Sequence, residues 1–501
     1  MPALTDDKTQ INTQQSAPVA TAEGTMPPAA AQSAVPNAKQ LTLGTSPIGK
    51  LLLQYSVPAI IAMVATSLYN IIDSIFIGHG VGAMAITGLA ITFPLMNLVV
   101  AFCTLIAVGG ATVSSIFLGQ KNLSRATDVV NNVMLICFIH AVVFGGLTLL
   151  FLDDILYFFG ATEQTIAYAR EFMQVILIGT PMTYVFLGLN NIMRATGYPR
   201  KAMISALLSV AVNLILAPIF IFHFKWGIKG AACATLAGQA TACVWVVYHF
   251  MNKNSIVHFE LRRKWFVPAL IKRMYGIGLS PFLMNCTACF VVVFLNKSLL
   301  HAAGPLGNDS VGAYGIINRT TMLFVMIVFG VTQGMQPILG YNFGANNWPR
   351  VKQTLYRGIW IGMGITAFGW IVTELFPDSI SSLFTTDKTM IAIAREGFRI
   401  YFICYPVVGA QIVIQNFFQS VGHPAPSIFL SLTRQLVFLL PFLWILPQYF
   451  GVNGVWLSMT ASDLLAAIVA VITVIIWVRI INKRYAETGS MHKPIANDRN
   501  A

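Results

Sequence analysis

Apolar residues in this chain gather into long blocks separated by short polar connections. Crossing a bilayer as a helix takes about 20 apolar residues. Blocks of that order occupy 51–78, 85–117, 126–151, 165–193, 202–223, 228–251, 276–300, 312–342, 355–375, 389–420, 425–447 and 454–480. The pattern predicts an all-α membrane protein of about twelve transmembrane helices. Several blocks exceed the minimum, which permits tilt, or kinks at Pro58, Pro94, Pro181, Pro281 and Pro406. Residues 1–45, rich in Ala, Thr, Gln and Pro, contain no apolar block and read as a disordered tail, and 481–501 read as a second tail. The stretch Gly44 to Lys50 nearly matches a phosphate-binding loop. Leu51 stands where a hydroxyl should hold magnesium, and a membrane span follows, so the match is accidental.

The blocks repeat. Ile166-Ala-Tyr-Ala-Arg170-Glu171 recurs as Ile391-Ala-Ile-Ala-Arg395-Glu396, 225 positions on (395 − 170). In the same register Pro181 meets Pro406, Asn191 meets Asn416, Gly197 meets Gly422 and Pro199 meets Pro424. One residue out of register, Gly227-Ile-Lys-Gly230 meets Gly451-Val-Asn-Gly454. Each half thus holds six spans, and an even number gives both halves the same orientation, a parallel repeat. The expected lobes are 46–252 and 276–480, with 253–275 as the linker between them.

Composition agrees: 56% of residues are hydrophobic and 10% charged, far below the charge of soluble domains. The net charge of +13 lies mostly in short connections. No basic stripe with interleaved aromatics occurs, so nucleic acid is not an expected partner. Lys121, Arg125, Arg194, Arg200, Lys201, the basic residues of 252–275, Arg350 and Lys352 share one side, against Lys225, Lys229 and Lys388 on the other. That bias predicts cytoplasmic termini in a bacterial inner membrane. All seven cysteines lie inside apolar blocks, where no disulfide framework is implied.

An ionisable group deep in a span costs about 2.5–3.5 kcal/mol to insert, so each needs a reason. Two acids stand out, Asp73 in the first span and Asp463 in the twelfth. By the repeat, Asp73 corresponds to Asn296 and Asp463 to Gln239, so each lobe carries one acid and one amide on swapped helices. Either acid suits proton exchange or sodium binding, or is tied structurally to a neighbour; Lys297 is a candidate partner for Asp463. Tyr69, Asn70, Asn213 and Thr235 can surround Asp73, and Gln411 and Gln415, one turn apart, can line a cavity. Arg319 either balances acids around the C-terminal cavity or reaches the outer interface. His140 reads as a packing residue, and Arg170–Glu171 and Arg395–Glu396 as caps or intralobe tethers. A subset of the 20 Met and 34 Phe lining a cavity would suit bulky apolar ligands.

Ser56-Val-Pro-Ala-Ile60, Leu68-Tyr-Asn-Ile-Ile-Asp73, Ala195-Thr-Gly-Tyr-Pro199, Gly227-Ile-Lys-Gly-Ala-Ala and Gly334-Met-Gln-Pro-Ile-Leu-Gly-Tyr-Asn-Phe-Gly-Ala345 resemble the multidrug and toxic compound extrusion (MATE) transporters. The resemblance spans roughly 46–480. It implies twelve helices in two lobes and export of lipophilic organic cations by a functional monomer, in exchange for protons or sodium and with no other cofactor. The family's first-helix acid falls on Asp73, where sodium would bind, and its N-lobe polar partners on Asn213 and Thr235. Relatives often read Asn-x-x-x-Asp-Pro in the fifth span; here it is Asn213-Leu-Ile-Leu-Ala217-Pro218. Ala217 can neither ligate a cation nor take a proton, which weakens the case for a sodium site in the N-terminal lobe and shifts weight onto Asp73 alone or onto Asp463. The rival functions are a flippase of lipid-linked glycans, which would have a cationic cavity, a major facilitator, whose basic loop motif is missing at Gly119–Ala126, and a membrane enzyme, for which no catalytic constellation is found.

Overall fold

The computed structural model describes residues 38–260 and 265–491, with side chains from Thr42 onward except those of Asn70 and Ala83. Arg262, Arg263 and Lys264 of the linker, and the tails through Asn37 and from His492, lie outside the described residues. Ala38–Thr45, within the stretch expected to be unstructured, is a short helix.

The membrane helices are α1 (Ile48–Gly80), α2 (Ala83–Gly119), α3 (Leu123–Leu150), α4 (Ile166–Ala195), α5 (Pro199–Pro218, continued by a π turn Ile219–His223) and α6 (Gly227–Met251). In the second half α7 is Pro268–Ala303, α8 Gly307–Gly344 and α9 Trp348–Leu375. Then α10 is Lys388–Phe402 plus Tyr405–Ser420, α11 is 424–450 and α12 is 452–488. Two apolar helical stretches each contain two crossings. Pro268–Gly344 turns back at Gly304 (φ 53°, ψ −118°) and Pro424–Thr488 at Gly451 (φ 55°, ψ −134°), conformations open to glycine. With the bent α10 taken as one span, the described residues hold twelve crossings in two lobes of six. Pro58, Pro94, Pro181 and Pro281 sit inside continuous helices. Near Pro406 the helix instead breaks, with a 56° bend between the two parts of α10.

The repeat is written into the backbone and into the ion pairs. Positive φ recurs at Lys121 and Asn346, Gly197 and Gly422, and Gly227 and Gly451, 225 or 224 positions apart (346 − 121, 422 − 197, 451 − 227). Arg170 Nε binds Asp153 Oδ1 at 2.7 Å, and 225 residues later Arg395 Nε binds Asp378 Oδ1 at 2.6 Å. Each pair ties the short helix before a span (Leu152–Phe158, Pro377–Ser382) to that span, so the two Arg–Glu motifs are intralobe tethers working through their arginines.

The lobes meet where α1 and α2 pack against α7 and α8. Lipid gives apolar helices no reason to prefer each other over acyl chains, so close shape and small residues decide such seams. A Cβ on Gly278 of α7 would overlap the Leu105 carbonyl of α2, and one on Gly109 the Met274 carbonyl. Gly330 and Gly334 of α8 admit the α1 backbone at Ile60 and Ser56, while Gly119 and Gly344 admit each other's helices. Gln336 Nε2 adds a 2.8 Å bond to Thr112 Oγ1 across the seam. All these contacts lie toward the end where α1 begins and α2 ends, here called the proximal end.

At that end each lobe also holds the segment that leads into the other. Leu43 O accepts from Asn342 Nδ2 and Arg350 Nη2 (both 3.1 Å), and Ser46 O from Arg350 Nη2 (2.6 Å). In the other lobe Asn131 Nδ2 donates to Glu260 O (2.9 Å) and Val267 N to Asn132 Oδ1 (2.7 Å).

Gly276, two residues from Gly278, would meet nothing within 4 Å if given a Cβ. Gly278→Ala should therefore cost roughly 1–3 kcal/mol while Gly276→Ala is neutral or stabilising. Thermal unfolding of the two purified variants in detergent reads the difference.

Candidate functional site

Six-helix lobes bury whatever polar groups their helices turn inward, and each such group must find a partner inside the protein. In the N-terminal lobe α1 packs along α5 and touches α6. This brings together four residues singled out in the sequence. Asp73 is 7% exposed, and its Oδ1 is buried with no hydrogen-bond partner. Tyr69, one turn before it, faces both the Asp73 carboxylate and Thr235. Asn213 Nδ2 donates to Thr235 Oγ1 at 3.0 Å, which fixes the amide and leaves Asn213 Oδ1 buried without a donor. The side chain of Asn70 lies outside the described residues. Ala217 is fully buried and adjoins the π turn that ends α5. The cluster is thus rich in oxygens, with one carboxylate and two acceptor atoms lacking donors. A buried acceptor in that condition costs about 1–3 kcal/mol, and a proton or a hard cation relieves it.

The C-terminal lobe solves the same problem differently. Asp463 on α12 is 3% exposed, and its Oδ1 accepts from Arg434 Nε of α11 at 2.6 Å. The expected partner Lys297 is not engaged: it is exposed, on a part of α7 that turns it outward. Asp463 is therefore a paired acid whose second oxygen, Oδ2, is buried and without a donor. Tyr401 and Tyr405 of α10 flank the pair.

The remaining candidates divide. Gln415 Nε2 donates to Ser431 Oγ at 2.7 Å and so ties α10 to α11, whereas Gln411, 1% exposed, keeps its Oε1 without a donor. Asn296 Oδ1 is likewise unpartnered. Gln239 accepts from Thr183 Oγ1 and links α6 to α4 inside the N-terminal lobe. Arg319 is exposed. His140 sits among Phe102, Tyr184 and Tyr275, edge-on to the first two, as an aromatic packing residue. Sequence reasoning placed Arg194 in a basic connection, but it is 9% exposed and bridges the lobes, donating to Gln333 of α8 and to Asn190 Oδ1. The seven cysteines are free.

Residues 58–219 and 286–445 match the MatE family, once in each lobe. The chain belongs to that family. It is accordingly a multi-pass membrane transporter and not an enzyme. The multidrug export protein MepA of Staphylococcus haemolyticus (strain JCSC1435) is similar, 27% identical over 429 residues that cover 86% of this chain and 94% of that protein. Among solved structures, a MATE protein in its bent conformation aligns with a TM-score of 0.84 at 23% identity, over 90% of this chain and 99% of that one. An outward-facing multidrug resistance MATE family transporter of the MOP superfamily aligns with a TM-score of 0.82 at 24% identity, over 91% and 99%. At those identities the likeness speaks to the fold.

Removing one member of a buried ion pair strands the other. Arg434→Met should cost about 3–5 kcal/mol of stability, whereas Arg434→Gln combined with Asp463→Asn, an amide pair of similar shape, should cost roughly 1 kcal/mol. Thermal unfolding in detergent distinguishes them.

Proposed function

We propose that the protein is a secondary active antiporter that exports lipophilic organic cations in exchange for protons or sodium ions by alternating access, with Asp73 as the coupling acid. The observation that carries this reading is the pair of buried acceptors, Asp73 Oδ1 and Asn213 Oδ1, left without donors beside Tyr69 and Thr235. A site so built gains free energy from a proton or small cation and loses it when the ion leaves. That is the differential affinity a coupled carrier needs. With Ala217 in place of an acid, Asp73 supplies the site's one charge.

Orientation gives the cycle its direction. The basic connections cluster at the proximal end, which by the positive-inside rule faces the cytoplasm of a bacterial inner membrane, with both termini there. The glycine seams then close the cytoplasmic side, and this conformation faces outward. In that state an ion from outside takes Asp73 and the lobe releases its organic cation. The lobes 46–252 and 276–480 then rock about the 253–275 linker, the ion leaves to the cytoplasm, and the next substrate is loaded from the cytoplasm or inner leaflet. Each charge moved down the membrane potential contributes about 2.3 kcal/mol per 100 mV. The resemblance to multidrug export proteins supports the substrate class.

Ethidium efflux from vesicles under a sodium or a proton gradient, each imposed separately, tests this. Wild type should export under one gradient, and Asp73→Asn should lose at least about 90% of that flux, since the coupling step needs a titratable or cation-binding carboxylate. Export by neither gradient from folded, inserted protein would reject the reading in favour of a lipid flippase.

A further inference from the structure

The repeat gives each lobe a matching corner at the proximal end, where its second span turns into its third, and the two corners are finished differently. In the C-terminal lobe the chain itself fills the corner. Arg350 Nε donates to Asn342 Oδ1 (3.0 Å), and its Nη2 donates to the carbonyls of Leu43 and Ser46. Asn346 holds the other end of the chain, donating to Gly489 O and accepting from Met491 N, both at 2.7 Å. The equivalents 225 positions earlier (350 − 125, 346 − 121, 342 − 117) are Arg125, Lys121 and Phe117. There an aromatic ring replaces the amide, and among the described residues the Arg125 guanidinium reaches no carbonyl.

Into this second corner the other lobe brings a further arginine. Arg273, in the second turn of α7, has its Cζ 5.4 Å from the centroid of the Phe117 ring. The Cζ of Arg125, in the first turn of α3, lies 5.9 Å from the same centroid. The two charges are close enough to repel. Both arginines are exposed, as are Lys121 on the side of one and Lys272 next to the other. Among the described residues none of these four cations forms an ion pair, and Asp128, one turn along α3, bridges to none of them. One ring offsets only part of the repulsion between two guanidiniums. An anion offsets the rest, and the guanidinium fork suits phosphate oxygens.

Position in the fold says which anion. Both arginines stand where apolar spans end, so they lie at the depth of lipid headgroups. Trp265 and Phe266, the latter 59% exposed, lead into α7 at the same level, and aromatic side chains settle at that depth. Basic patches beside the ends of spans attract acidic lipids.

We propose that Arg125 and Arg273 form a binding site for the phosphate of an anionic phospholipid headgroup, with Lys121 and Lys272 at its rim. Arg125 belongs to the N-terminal lobe and Arg273 to the C-terminal lobe, so a headgroup between them links the lobes across the closed proximal end. On the alternating-access reading above, opening that end separates the two arginines, and bound lipid therefore favours the conformation described here.

The test follows thermal unfolding of the purified full-length protein in detergent micelles carrying increasing phosphatidylglycerol, phosphatidylcholine in its place, or inorganic phosphate at millimolar concentration. Phosphatidylglycerol should raise the midpoint of wild type saturably, as a ligand of the folded state does, and the other two should not. The Arg125→Gln, Arg273→Gln double variant should need roughly tenfold to thirtyfold more phosphatidylglycerol for the same rise. Its midpoint in phosphatidylcholine serves as its own folded reference. Arg200→Gln with Lys253→Gln removes two exposed charges from the same end and should change the requirement less than about twofold. No response of wild type to phosphatidylglycerol, an equal response to inorganic phosphate, or an equal loss in the two double variants overturns the site. The assay involves no transport, so a negative result strikes the lipid site and leaves the efflux reading standing.

Discussion

A polar group inside a membrane protein has no water to fall back on, and the architecture follows from that constraint. Backbone groups are satisfied by making every crossing a helix. Side chains must be satisfied by each other, so the distribution of polar partners, rather than of apolar contacts, decides which regions are fixed and which can change. The lobe seam shows the fixed kind: glycines at 109, 278, 330 and 334 bring helices into backbone contact, and the polar bonds that cross it, such as Gln336 to Thr112, have both partners in place. The Asp73 cluster shows the other kind, with two acceptors that a transported ion would complete.

Duplication supplied two copies of one scaffold, and substitution then made their centres unlike. The scaffold is conserved down to the dihedral at Lys121 and Asn346 and the tethers Arg170–Asp153 and Arg395–Asp378. The chemistry is not. One lobe keeps its acid beside neutral groups, and the other gives its acid a tethered cation in Arg434. A carboxylate already neutralised by its own arginine is a poorer site for a mobile ion than one left without a donor.

The fold was legible because its signals are one-dimensional. Block length fixes the crossings, and an offset of 225 survives in prolines and glycines whose backbone roles tolerate few replacements. The Asp73 group was legible because polar residues are rare enough in these spans that those on α1, α5 and α6 had few other partners. For Asp463 the sequence offers Lys297 as a candidate partner where the structure has Arg434, because helices that are apolar on all sides carry little record of which way each residue faces. Arg194 was read as a connection residue for a related reason: it is one turn from a loop in sequence, and only packing reveals that α8 lies over it with Gln333 ready to accept.

If transport alternates access between the two lobes, the seam that closes the proximal end in this conformation must part. Thr112 and Gln336 touch across that seam. Cysteines at these two positions, in a background with the seven native cysteines replaced, can be joined by a short, reducible bis-thiol linker. The account predicts that linking stops dye efflux and that reduction restores it. Undiminished efflux from fully linked protein would show that the seam stays shut throughout the cycle, and would contradict alternating access between these lobes.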